Sequence, residues 1–589
     1  MNFLAFFLFL FICLLNYSNA RTSESLKVRI DDGRIVGRWM TSLSGRDIRA
    51  FMGIPYAAPP IGDLRFKVPQ KVKPWGKLNL LAHNEPPMCT QTNIFGDLTA
   101  RIVTGQEDCL YLNVYTPEIS DDKKAKKWPV LVWLHGGGWV VGHSGYTQYG
   151  PEYLLEHDIV LVTGNYRLGP LGFLSTEDEH ASGNFGFKDQ LAMLEWVQMN
   201  IEKFGGDPNS VTIFGESAGG AAVNYHMFSS MSRGLFHRAI SQSGTLLTPW
   251  AGPSAKGQAK MNAIRLADKM NCSISGTTMK EIVTCLRGVP AENITLAIYD
   301  FFEWDNDPII TFQPVVEESE LEEEPFIMDL RYKKFSLDIP WMVGITSEEG
   351  LFKSASIFNS QEKTNDLIKN WEKILPATLF YEHLHEDEIL ELNVKIYDFY
   401  FKEEFLGNSK GNLTNMWTDG LLGGMFDNLA YRLRNNNRDN TFVYLFTHKG
   451  AASYSELFKG GREKFYGTCH ADDLIYLFPM QKYNLALANS KPTEEDKKLI
   501  QIMTKMWVNF ASTGTPTPEW TKDSEFPFWT PASKFPLDYM QIGNENGLSK
   551  KLLQMKKNLY PERVRFWTEL REKFALHNWK LETTEKDEL

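Results

Sequence analysis

The chain lacks a basic excess, internal repeats, an interdomain linker and, beyond its first residues, any apolar run long enough to span a bilayer. Each absence removes a class of function. With 62 Lys and Arg against 73 Asp and Glu, the net charge of -11 offers no electrostatic grip on nucleic acid. No Cys/His spacing resembles a zinc site and no glycine-rich loop resembles a nucleotide cradle, so the chemistry is expected to need neither metal nor cofactor. Cysteine is scarce, at six residues. The polar runs Asp121 to Lys127, Glu317 to Glu324 and Asn435 to Asn440 read as surface loops.

The two termini carry addresses. Phe3 to Leu15 is apolar but too short for a comfortable membrane span, and Ser18-Asn19-Ala20 fits a small-residue cleavage pattern, although no positive charge precedes the run. Residues 1–20 are therefore expected to be a signal peptide, with the mature chain starting at Arg21. Residues 586–589, Lys586-Asp587-Glu588-Leu589, match the receptor-read endoplasmic reticulum retention address. The expected location is the reticulum lumen, with the retention receptor as partner and secretion as the alternative. Removal of Cys13 leaves Cys89, Cys109, Cys272, Cys285 and Cys469 for an oxidising compartment, an odd number. Asn293-Ile294-Thr295 and Asn412-Leu413-Thr414 are glycosylation sequons, and Asn271-Cys272-Ser273 is a poorer one.

The most telling stretch is Gly215-Glu216-Ser217-Ala218-Gly219. It follows the strand-like Val211-Thr212-Ile213-Phe214 and precedes the small residues Gly220-Ala221-Ala222. A serine at the apex of a strand-turn-helix lifts its hydroxyl above the sheet edge, and glycines two positions either side permit close strand-helix packing. Upstream, Pro129 to Leu134 is an unbroken apolar run suited to a parallel strand buried on both faces. It leads into His135-Gly136-Gly137-Gly138-Trp139, where glycines let backbone N–H groups approach a developing oxyanion. Leu194, Val197, Ile201 and Phe204 fall at helical spacing and read as the core stripe of an amphipathic helix.

Glu107-Asp108-Cys109-Leu110-Tyr111-Leu112-Asn113-Val114 and the serine turn together resemble the type-B carboxylesterase and cholinesterase family. So do Gly53-Ile54-Pro55-Tyr56-Ala57, Asn165-Tyr166-Arg167-Leu168-Gly169, Lys188-Asp189-Gln190 and Phe204-Gly205-Gly206-Asp207-Pro208. The insect-type carboxylesterases are the nearest branch. The resemblance implies one α/β-hydrolase domain over residues 21–585, a large, mostly parallel central sheet flanked by helices on both faces. A naive count of about 150 residues per domain would give four.

By that resemblance the nucleophile is Ser217, the base His470 within Gly467-Thr468-Cys469-His470-Ala471-Asp472-Asp473, and the acid Glu349 within Thr346-Ser347-Glu348-Glu349-Gly350. Glu349 is preferred to Glu348 because the family's acid precedes the glycine. The order serine, acid, histidine is that of α/β-hydrolases. Backbone N–H groups of Gly137, Gly138 and Ala218 would form the oxyanion hole, and Glu216, Trp139, Pro308 and Ile310 would line the substrate pocket. Cys89–Cys109 and Cys272–Cys285 would pair, leaving Cys469 as a buried thiol.

A serine carboxylesterase acting through an acyl-enzyme on small-molecule esters is the expected function. A neutral histidine base predicts activity rising through about pH 6 to 7. The alternatives are a juvenile-hormone-type esterase, stoichiometric trapping of organophosphates or lipophilic esters, and a catalytically dead scaffold. Thr90 to Asp108 contains no tryptophan to bind a quaternary ammonium, so acetylcholine is not an expected substrate.

Overall fold

The computed structural model describes residues 26–576 apart from 96–97, 118–125, 275, 318–324, 329–337, 403–408, 435–439, 460–464, 481–486, 488–489 and 519–526. The expected signal peptide and the 586–589 address lie outside the described residues, as do most of the three polar runs. Among the described residues no helix is long and apolar enough to cross a membrane.

Eleven strands form the central sheet: β1 (Arg38–Thr41), β2 (Asp47–Pro55), β3 (Tyr111–Thr116), β4 (Trp128–Leu134), β5 (Val160–Gly164), β6 (Gly206–Glu216), β7 (Arg238–Gln242), β8 (Trp341–Thr346), β9 (Thr441–Phe446), β10 (Asp538–Ile542) and β11 (Leu553–Lys557). Their spatial order is β11-β10-β9-β8-β7-β6-β4-β5-β3-β2-β1. Pairings from β5 through β4 and β6 to β10 are parallel. The two margins, β5-β3-β2-β1 and β10-β11, are antiparallel.

The unbroken apolar run of β4 follows from its place near the middle of the sheet. Val130, Val132 and Leu134 join the core on one face while Leu131 and Trp133 join the core on the other, as the two-residue period of a strand requires. Helices α1 (Phe185–Asn200) and α2 (Ala218–Phe228) cover the first face, and α5 (Glu494–Thr513) covers the second through Leu499, Met503, Met506, Trp507 and Phe510. Between them in sequence lie α3 (Leu351–Phe358) and α4 (Lys410–Leu422), which bear on the site.

Two expectations need correction here. The core stripe expected in α1 is buried, but the helix is buried more widely than an amphipathic helix would be. Leu194 and Val197 are buried in it, and Ile201 and Phe204 in the 3-10 turn that follows, but so are Lys188, Asp189 and Gln190. Glu317 is likewise buried rather than part of a solvated loop. Its carboxylate accepts hydrogen bonds from Asn184 Nδ2 (2.6 Å) and the Phe326 amide (2.9 Å), with Lys188 Nζ 3.5 Å away. A carboxylate with that many donors can leave water.

The polar motifs of the family resemblance are internal braces. Arg167 and Asp189 are 4% and 0% exposed and form a two-pronged ion pair, Nε to Oδ2 at 2.8 Å and Nη2 to Oδ1 at 2.7 Å. The Arg167 amide adds a third bond to Oδ2 at 3.0 Å. The pair ties the segment after β5 to α1. Disulfides join Cys89 to Cys109 and Cys272 to Cys285, and Cys469 is free and buried.

Replacing Arg167 by Met strands Asp189 without a cation in the interior, an expected loss of about 3–5 kcal/mol. The double change Arg167→Met with Asp189→Leu is expected to recover most of it. Urea-unfolding midpoints of the two variants check this, and a single variant as stable as the parent contradicts it.

Candidate active site

The turn between β6 and α2 places Ser217 at φ 56°, ψ -123°, a conformation that a side-chain-bearing residue adopts only under constraint. The constraint is crowding. A Cβ on Gly219 would lie 2.0 Å from the Leu134 carbonyl oxygen, one on Gly215 would lie 2.5 Å from Gly219, and one on Gly244 would lie 2.0 Å from the Ser217 carbonyl. These glycines serve close approach, and the strained backbone belongs to the serine itself. The Ser217 amide donates to Gln242 O at 2.8 Å, anchoring the turn on β7.

Glu349 lies just past the end of β8 and is fully buried. Its Oε1 accepts from the Thr346 amide (2.7 Å) and Ser243 Oγ (2.5 Å), while Oε2 meets His470 Nδ1 at 2.5 Å. Three contacts fix the carboxylate and, through it, the imidazole. Glu348 points elsewhere, accepting from the Thr468 amide (2.7 Å) and Asn546 Nδ2 (3.1 Å). Its own amide donates to Thr468 O at 3.1 Å, so Glu348 stitches the acid loop to the histidine loop.

His470 is clamped on both sides. Its Nδ1 meets Glu349, and its Nε2 lies 3.0 Å from Glu216 Oε1. Burial works against the charged imidazole, but the two carboxylates outweigh it and raise the His470 pKa well above the ordinary value. Further carboxyls crowd the same region. Asp473, hydrogen-bonded by Gln242 Nε2 and Tyr444 OH, is pushed by burial up to about 7, and Asp472 up to about 8.

The glycine loop after β4 turns left-handed, with φ of 102°, 64° and 57° at Gly137, Gly138 and Trp139. Only glycine fits at 137, where a Cβ would meet Val141 O at 2.1 Å. Among the described residues no protein acceptor takes the N–H of Gly137, Gly138 or Ala218. His135, at the loop's start, is a buried structural group: it stacks on Tyr166, and burial lowers its pKa to about 3.

These elements face one cavity of about 440 Å³, lined mostly by apolar side chains. Ser217, Glu216, His470, Gly137, Gly138 and Ile310 all border it. Two expected pocket residues do not. Trp139 is fully buried behind the loop against Phe173, Phe187, Tyr225 and Trp250, because the left-handed turn directs its indole into the core. Pro308 faces a neighbouring cleft, and Ile309 takes its place in the cavity wall. Sequence reasoning missed Ser243, the aromatic wall of Phe95, Phe352, Phe380 and Phe458, and Lys353. Asp178, Glu179 and His180 are close enough to share a metal ion, but none of the three borders the cavity.

A serine on a strained strand-to-helix turn, a buried acid after β8 and a histidine loop above a mostly parallel sheet define an α/β-hydrolase. The carboxylesterase family profile matches residues 24–567, and the chain belongs to that family. It is 37% identical over 542 residues to Esterase FE4 of Myzus persicae, covering 91% of both chains. It is 35% identical over 553 residues to the Juvenile hormone esterase of Tribolium castaneum, covering 91% of this chain and 92% of the relative. The crystal structure of Juvenile Hormone Esterase from Manduca sexta, with OTFP covalently attached, superposes with a TM-score of 0.78 at 27% identity, over 93% of this chain and 99% of that one. The protein is a serine ester hydrolase of the carboxylesterase type.

If His470 must be neutral to accept a proton, its two carboxylates place the acid limb of activity above the pH 6 to 7 expected from the reference value. Glu216→Gln removes one of them and should move the limb of kcat/KM down by about one pH unit or more. A limb that stays in place means Glu216 does not govern the imidazole.

Proposed function

We propose that Ser217 is the nucleophile, His470 the general base and Glu349 the orienting acid of a carboxylesterase acting on small apolar esters. The observation that carries this reading is the convergence on one cavity of Ser217, of His470 held from behind by Glu349, and of Gly137 and Gly138 with their unengaged amides. When an ester enters, His470 Nε2 takes the Ser217 proton as Oγ attacks the carbonyl, and Glu349 holds the tautomer and stabilises the imidazolium. Charge on the carbonyl oxygen is met by the amides of Gly137, Gly138 and Ala218, each worth about 3 kcal/mol of transition-state stabilisation. His470 then protonates the leaving alcohol, and water, activated by the same imidazole, releases the acid and restores Ser217. No metal or cofactor enters these steps.

Cavity size and apolarity support esters with hydrophobic groups on either side of the carbonyl. The Tribolium and Manduca relatives bear the name juvenile hormone esterase, which keeps a hormone-type ester as the second reading. Glu216 beside the serine and the retention address favour the general esterase, since a retained lumenal enzyme is poorly placed to clear a circulating hormone. The leader and the terminal Lys586-Asp587-Glu588-Leu589 support residence in the endoplasmic reticulum lumen through the retention receptor, and Asn293 and Asn412 are the proposed glycan carriers. Asn293 is exposed, and Asn412 is partly exposed on the first turn of α4.

Two experiments test the reading. Steady-state hydrolysis of 4-nitrophenyl esters from acetate to octanoate should fall by at least 10³-fold in Ser217→Ala, as expected for removal of a nucleophile. Comparable turnover in the variant sinks the assignment, and a burst without turnover in the parent favours trapping. Deleting residues 586–589 should send the enzyme into the medium, whereas retention of the truncated chain removes the address from the account.

A further inference from the structure

One wall of the cavity is built in a way its chemistry does not require. The segment from Glu303 to Phe312 is neither a regular helix nor a strand, yet Ile309 and Ile310 from it close the cavity beside the glycine loop. A Cβ on Gly138 would already touch Ile310 at 3.5 Å, so the wall stands against the proposed oxyanion hole. An irregular segment holds a fixed position only if something pins it.

The pin is a buried ion pair. Lys353 Nζ lies 2.5 Å from Asp307 Oδ1, with the two side chains 5% and 1% exposed. Lys353 also donates to Asn306 Oδ1 at 3.2 Å. Lys353 stands on α3, four residues after Glu349, and borders the cavity that Ser217 borders. The helix that follows the proposed acid therefore also holds the wall. Lesser ties flank the pair: Asn306 Nδ2 donates to Ile94 O at 3.0 Å, Trp304 Nε1 donates to Asp366 Oδ2 at 2.8 Å, and Lys363 pairs with Asp305.

Beyond the wall lies a second cleft of about 290 Å³, and Ile310 and Phe380 border both spaces. The apolar side chains of the wall are thus a partition, and the ion pair fixes where it stands. Apolar residues of similar volume could fill the same space without the desolvation cost of two charges. What the charged pair adds is direction, since one ammonium and one carboxylate lock a single register where apolar packing tolerates several.

We propose that Lys353 is a positioning and specificity residue: paired with Asp307, it holds Ile309 and Ile310 as a fixed partition that limits the length of acyl chain the cavity accepts. This rests on the reading of Ser217 as nucleophile, and it assigns the wall beside the glycine loop to the acyl side of the ester. Loosening the pair lets the partition yield toward the second cleft and admits longer chains.

The test uses the mature enzyme and two substrate series, 4-nitrophenyl acetate against decanoate to vary the acyl group, and methyl against benzyl acetate to vary the alcohol. Lys353→Met should raise the decanoate-to-acetate ratio of kcat/KM at least fivefold, chiefly through KM. Lys353→Arg should leave the ratio within twofold of the parent, and Ile310→Ala should reproduce the rise without disturbing the ion pair. The methyl-to-benzyl ratio should stay within twofold throughout. Should Lys353→Met not fold, the double variant Lys353→Met with Asp307→Asn, which strands no charge, decides by the same ratio. An acyl ratio that rises less than fivefold, equal losses on both acyl esters, or a shift in the alcohol series overturns the proposal. Failure of the parent enzyme to turn over any of the esters would instead strike at the serine-esterase reading.

Discussion

Everything at this site depends on how closely α2 approaches β4 and β7. With Gly219 almost touching the Leu134 carbonyl and Gly244 against the Ser217 carbonyl, the chain after β6 has one path, and that path forces Ser217 into its strained conformation. The strain is sustained by the two-sided burial of the sheet beneath it. Helices α1 and α2 press on one face and α5 on the other, so the turn cannot relax without opening a core.

The imidazole is held by electrostatics rather than by crowding. Glu349 is locked by Thr346 and Ser243, and Glu348 fastens the histidine loop to the acid loop, so His470 sits where two loops more than a hundred residues apart meet. Its second nitrogen rests on Glu216. Two carboxylates thus flank the imidazole and favour its charged form. The same α3 that begins beside Glu349 carries Lys353, which couples the acid's position to the shape of the wall.

Local features were legible in the sequence because their causes are local. The serine turn, the glycine loop and the two-faced strand β4 each read directly from consecutive residues, and the proposal of Ser217, Glu349 and His470 came from the family resemblance. What escaped has non-local causes. Ser243 bonds Glu349 across a gap of 106 residues, and Phe95, Phe352, Phe380 and Phe458 meet only after the sheet is assembled. Trp139 was misjudged because left-handed dihedrals, invisible in residue type, turn its ring inward. Glu317 was misjudged because its charge suggested solvent while Asn184 and the Phe326 amide supplied partners inside.

The central claim is that Ser217 forms the acyl-enzyme. Peptide mass spectrometry of the mature enzyme after reaction with a fluorophosphonate tests it most directly. The account predicts one adduct per chain, confined to the peptide bearing Ser217. An adduct on any other residue, or unmodified Ser217 in enzyme whose ester turnover has been abolished, would contradict it.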